Sequence, residues 1–295
     1  MDQMSQKKDT RSLLQKVRKI EIKTKGLTEQ IFSGDYQSAF KGQGMSFSEV
    51  REYQYGDDVR SIDWNVTART GVPHIKIFEE ERQLTVLLMV DISPSVFTGT
   101  HKSNHELIAE LSAILAFSAI QNNDKVGLLL FAEEIELFIP PAKGKKHILR
   151  IIREILYREA SSEKTDVGNA LQYLNNILHK RSIVFLMSDF FSKDFTKPLN
   201  VVSRKHDLIG LHIRNSFEKQ IPFKGIYQLR DAESGQQIEI DLSHKKQRQQ
   251  WLDHFDQHED KCKSLFKKQQ SELITLFTNE PYVKILHQFF SHRRK

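Results

Sequence analysis

Between residues 84 and 213 short apolar runs alternate with amphipathic stretches, and this alternation narrows the fold more than anything else in the sequence. Leu84–Val90, Val126–Phe131, Ile183–Met187 and Leu208–Ile213 have the length and apolar content of buried strands. His105–Ile120 places Leu107, Ile108, Leu111, Ile114 and Leu115 at three- and four-residue spacing, which predicts a helix with one apolar stripe. Ile148, Ile151, Ile152 and Ile155 mark a second helix; Ala170, Leu171, Leu174, Ile177 and Leu178 mark a third. A short strand, Ile135–Ile139, is read as ending at Pro140-Pro141. Helices inserted between apolar strands act as crossovers, so the expected class is α/β, a doubly wound and mostly parallel sheet covered on both faces. Ligands of such folds sit beyond the carboxyl ends of the strands, near a switch point in strand order.

The flanks read differently, and three segments result: 1–83, 84–215 and 216–295. Residues 12–32 look helical, and 33–83 are polar and rich in Gly and charge. Residues 226–230 and 237–241 enclose Ala232-Glu233-Ser234-Gly235 and predict a β-hairpin. Ser243 to Phe277 reads as a long polar helix, and Tyr282–Phe290 as a short amphipathic closing piece whose Phe289-Phe290 form a docking stripe. No apolar run nears the roughly 18 residues of a membrane span. The polar N-terminus lacks an apolar leader core, and Cys262 stands alone, so a cytoplasmic location is expected. The net charge of +6 arises from basic excess in residues 1–30 and 244–295, while the middle is slightly acidic. Such an excess, spread over helical stretches, is the pattern of a solvated face, and nucleic acid is not expected as a partner.

The first central strand runs into Asp91-Ile92-Ser93-Pro94-Ser95, an acid and two hydroxyls at alternate positions. Thr165, before the helix start Asp166-Val167-Gly168-Asn169, and Asp189, after strand Ile183–Met187, belong to the same carboxyl edge. Oxygen donors converging there suit a hard divalent cation such as Mg²⁺ or Mn²⁺. Each element taken alone also suits a plain helix cap; their conjunction favours the metal. An aspartyl-phosphate reading of Asp91 lacks a second acid two residues on, where Ser93 stands. Gly144-Lys145-Lys146 lacks the hydroxyl and glycine spacing of a phosphate-binding loop. His254 and His258, four apart on a helix, have no third zinc ligand in view and read as a solvated face.

Asp91-x-Ser93-x-Ser95, Thr165 and Asp189 resemble the metal-ion-dependent adhesion site of von Willebrand factor A domains. That resemblance implies Ser93, Ser95 and Thr165 as cation ligands, the two aspartates acting largely through water, and a partner carboxylate in the remaining position. A second block precedes it: Gly42-Gln43-Gly44-Met45-Ser46-Phe47, Arg51-Glu52-Tyr53, Gly56-Asp57-Asp58-Val59-Arg60, Ile62-Asp63-Trp64, Ala68-Arg69, Lys76 and Glu80-Glu81-Arg82. This block resembles the bacterial family known as domain of unknown function fifty-eight, whose members carry it before a von Willebrand factor A-like domain and are often encoded beside MoxR-type AAA+ ATPases. The likeness runs from about Leu13 to Asp241 and includes His206-Asp207. It departs at Val96, where the family has Met, and at Asn215, where it has Asp.

Two classes of function follow. The favoured one is a non-enzymatic cytosolic adaptor whose cation captures a partner carboxylate, with a MoxR-type ATPase or its client as that partner. The alternatives are a metal-dependent hydrolase at the same site, which needs a general base nearby, and a weak nucleic-acid binder acting through the basic ends. Within Arg51–Arg69, the mixture of acids and arginines predicts bidentate pairing in a small subdomain, Trp64 packed on the sheet domain, and Asp57 exposed in a turn.

Overall fold

The computed structural model describes residues 17–24, 36, 39–40, 45–80, 83–94, 104–158, 160–162, 164–219, 225–230 and 237–293. Strands β1 (Met45–Glu52) and β2 (His74–Glu80) pair antiparallel and enclose a 3-10 turn and helix α1 (Trp64–Thr70). There follow β3 (Thr85–Asp91), α2 (Asn104–Gln121), β4 (Lys125–Phe131), β5 (Ile135–Ala142), α3 (Lys145–Tyr157), α4 (Val167–Ile177), β6 (Ile183–Ser188), α5 (Thr196–Lys205) and β7 (Asp207–Arg214). The antiparallel hairpin β8 (Ile226–Arg230) and β9 (Gln237–Asp241) leads to α6 (Lys245–Lys268), β10 (Glu272–Phe277) and α7 (Tyr282–Arg293). The main sheet has the order β10-β7-β6-β3-β4-β5, parallel except for β5. It is the doubly wound α/β sheet expected, and the strand order reverses between β3 and β6.

Alternation along the strands divides the core into two layers. Val86, Leu88 and Val90 of β3 join Val126, Leu128, Leu130, Ile183, Phe185, Met187, Ile209 and Leu211 beneath α2, α3 and α7. Leu87 and Met89 join Leu129, Phe131, Val184 and Leu186 beneath α4, α5 and α6. Helix α2 is buried nearly all round, which is why its stripe extends to Ala109, Ala113 and Ala116. On the second face Gly210 of β7 has no room for a side chain: a Cβ there would stand 2.5 Å from the buried Phe266 ring.

Four expectations need correction. β5 continues through Pro140 and Pro141 to Ala142, because an edge strand tolerates the missing N–H groups. The stretch to Phe277 is not one helix: α6 ends at Lys268, Gln270 turns with φ 56°, and Glu272–Phe277 becomes a sixth strand beside β7. The main sheet thus draws on residues beyond 84–215. Phe289-Phe290 is no docking stripe, since Phe290 is buried against Tyr36 and Phe40. Trp64, expected against the sheet domain, is 68% exposed.

The acids and arginines of the block pair as its composition predicts, but Asp57, expected to be exposed in its turn, is half-buried there. Arg51 grips Asp57 with two bonds of 2.8 Å, and Asp57 also accepts from the Gln54 amide, so this acid braces its turn. Those bonds hold the Asp57 carboxyl below its ordinary range. Asp63 is buried, caps α1 through the Asn65 and Val66 amides, and lies 3.5 Å from Lys76. Asp63→Ala is accordingly expected to lower the urea midpoint clearly and Trp64→Ala to leave it nearly unchanged. An equal fall for both in parallel melts would show that the indole packs.

Candidate metal centre

Asp91 is the last residue of β3 and is fully buried, not the surface carboxylate that its position past an apolar run suggests. Its Oδ1 accepts the Ser93 amide at 2.9 Å and its Oδ2 accepts the Ser188 hydroxyl at 2.6 Å. Burial pushes the carboxyl pKa up, and the serine bonds oppose that rise. Ser188 ends β6, the strand across the switch point, so this bond ties the two strand ends together. Sequence reasoning missed Ser188. Its signal was only its place immediately before Asp189, at the end of a strand that pairs with β3.

The other loops converge on the same edge. The Ile92 amide donates to Phe131 at the end of β4, and the Asp166 amide to the next carbonyl, Ala132. Asp166 then caps α4 through the Asn169 amide at 2.8 Å. The Ser192 hydroxyl donates to the Thr165 carbonyl at 3.2 Å and accepts the Val167 amide at 3.1 Å, joining the loops after β6 and before α4. Hydrogen bonds thereby gather Asp91, Ser93, Thr165 and Asp189, all buried, at the carboxyl ends of β3 and β6. Ser95, the fifth position, and Val96 lie outside the described residues.

The donor set suits a hard cation. Thr165 Oγ1 is buried and has no hydrogen-bond partner among the described residues, and such an orphaned hydroxyl is costly unless something else coordinates it. Among those residues no three His, Cys, Asp or Glu side chains gather as a metal group; this set has two carboxylates and takes its other oxygens from hydroxyls. Asp189 Oδ1 accepts the Phe191 amide at 3.1 Å, which orients the carboxylate. Its main-chain carbonyl accepts from His258 Nε2 at 3.0 Å. His258 is therefore not part of a merely solvated face, and it stacks on Phe191 at 3.8 Å. Asn215, where the resemblance implies Asp, accepts the Phe217 amide and forms a capping box with Glu218; an amide oxygen does this as well as a carboxylate.

A sheet of this order, with acids and hydroxyls clustered at its switch point, defines a doubly wound α/β domain with its candidate site at the carboxyl edge. The chain belongs to the family described as "Protein of unknown function DUF58", which it matches over residues 49–261. An uncharacterized protein of Mycobacterium tuberculosis is 28% identical over 231 residues, covering 77% of this chain and 73% of its own length. Among solved structures, BatB from Bacteroides thetaiotaomicron aligns with a TM-score of 0.46 at 17% identity, covering 71% of this chain and 98% of its own. The SpRpn10 VWA domain aligns with a TM-score of 0.41 at 11% identity, covering 69% and 93%.

Proposed function

We propose that the chain is a protein-binding adaptor that holds one Mg²⁺ or Mn²⁺ at the switch point and captures a carboxylate of its partner there. Ser93, Ser95 and Thr165 would supply neutral oxygens, with Asp91 and Asp189 supplying charge. The observation that carries this reading is the buried Thr165 hydroxyl, without a hydrogen-bond partner among the described residues, at an edge where Asp91 and Asp189 are already gathered. When bound, the cation supplies a Lewis-acidic position for an incoming carboxylate oxygen. Ser188 and the Ser93 amide fix Asp91 from behind, so that carboxylate orders the site without itself being exposed.

Adaptor is favoured over hydrolase by where the nearby imidazoles point. His258 bonds the Asp189 carbonyl, and burial drives both it and the neighbouring His212 toward the neutral form. A general base must reach the attacking water, whereas the His258 ring is taken up by the Asp189 carbonyl and the Phe191 ring. A MoxR-type AAA+ ATPase or its client, in the cytoplasm, is the partner suggested by the family resemblance. Among the described residues no helix is long and apolar enough to cross a membrane.

Asp91→Asn keeps the shape of the side chain and removes its charge. Calorimetric titration should show one Mn²⁺ site in the parent and at least tenfold weaker binding in Asp91→Asn, a loss of about 1.4 kcal/mol or more. Identical titrations in the two proteins would dismiss this site.

A further inference from the structure

We propose that α6 sets the geometry of the candidate cation site through His258, a positioning residue that holds the Asp189 main chain in place; this rests on the metal reading above. Four consecutive residues, Ser188 at the end of the switch-point strand and the three that follow it, are each held by a contact of their own. The Ser188 hydroxyl is bonded to Asp91 and accepts the Phe190 amide at 2.9 Å. The Asp189 carbonyl is held by His258 at 3.0 Å. The Phe190 ring is buried, with Phe266 of α6 edge-on at 5.3 Å and Phe195 stacked at 6.0 Å. Phe191 lies flat on His258, the rings 3.8 Å apart and 10° from parallel.

The backbone shows why such holding is needed. Phe190 has φ 59°, a left-handed conformation that costs a non-glycine residue of order 1–3 kcal/mol and persists only where its surroundings enforce it. Phe190 directly follows Asp189, so relaxing this conformation moves the carboxylate relative to Asp91 and Thr165. Three of these four residues are held through His258 and Phe266 of α6, a helix that carries none of the five candidate ligands. The affinity of the site is thereby set by the seating of α6, and a partner that shifts this helix changes the cation's hold without touching it. Loss of an outer contact of this kind typically weakens metal binding about 10–100-fold.

The test uses the full chain, Mn²⁺ titration, and amide hydrogen exchange of Phe190 and Phe191 in metal-free protein. His258→Ala is expected to weaken Mn²⁺ binding about tenfold or more and to speed exchange of those two amides. His258→Gln, whose amide can donate to the same carbonyl, should restore most of both, and His292→Ala, at an exposed position on α7 over the opposite face of the sheet, should change neither. If His258→Ala does not fold, His258→Phe, which keeps the stack and drops the bond, replaces it with the same expected result. Unchanged exchange, or faster exchange with unchanged Mn²⁺ affinity, overturns the positioning role. Failure of the parent itself to take up Mn²⁺ overturns the cation reading and this role together, and is distinguishable because the parent titration alone reveals it.

Discussion

Arg214→Met should cost about 3–5 kcal/mol of stability, the usual consequence of removing one member of a buried charge network. Arg214 is the last residue of β7 and the largest fully buried side chain among the described residues. Its Nε donates to Glu218 at 2.9 Å, its Nη1 to Glu259, and its guanidinium lies 5.0 Å from the Phe277 ring at the end of β10. It thus joins two neighbouring strands, the turn after β7 and α6. Burial raises the pKa of Glu218. Burial pushes Glu259 up as well, but Lys263, Thr275 and Arg214 outweigh it and leave the carboxyl at about 2. Without the guanidinium, Glu218 faces a buried site with its main partner gone. Adding Glu218→Gln to Arg214→Met should therefore recover part of the loss, because the orphaned charge goes with it. Urea melts of the single and double variants decide the matter, and a single variant as stable as the parent would show that the network contributes nothing net.

His206→Leu should remove an acid-sensitive contribution to stability. This imidazole sits at the C-terminus of α5, is 1% exposed, and neither ring nitrogen has a partner among the described residues. Burial, with Lys205 and Arg181 nearby, pushes its pKa down to about 4. An unfolded chain takes up the proton below about pH 6.5, whereas the folded protein refuses it until about pH 4. The contribution is present above pH 6.5 and is lost as the pH falls toward 4, with a limiting slope of about 1.4 kcal/mol per pH unit. Asp124, pushed up to about 6 by burial, acts in the opposite direction, but it is common to both proteins and cancels in their difference. Between pH 7 and 4.5 the parent should lose roughly 1–3 kcal/mol relative to His206→Leu. Parallel stability curves over that range would contradict the burial of a neutral ring.

The central strands were legible because burial on both faces requires nearly unbroken apolar runs, and few other structures do. The edges were not. Glu272–Phe277 reads ELITLF, mixed enough to pass for the end of a polar helix, and its turn at Gln269-Gln270 contains neither Gly nor Pro. β1 and β2 form a two-stranded ribbon and so lack the two-sided burial that marks a strand in sequence. Trp64 misled for a related reason, since an aromatic residue predicts burial only on average. At the site, acids and hydroxyls after strands announced themselves through type and position. Ser188 and His258 did not, because their parts depend on what lies across the sheet, and spacing along the chain carries no record of it.

The sixth strand also imposes a timetable. β7 ends at Arg214, yet its outer neighbour is completed only at Phe277. At about 5–20 residues per second of synthesis, the nascent sheet waits roughly 3–13 s with that flank unpaired. The interior waits longer, for Phe290 must arrive from α7 before it can close on Phe40, with ring centroids 5.8 Å apart. Unpaired strand flanks invite pairing with other chains, and parallel pairing over long sequence separations is intrinsically slow. The newly made chain is therefore most exposed to aggregation in the interval when residues 215–277 are being added, and slower elongation through that stretch lengthens the hazard.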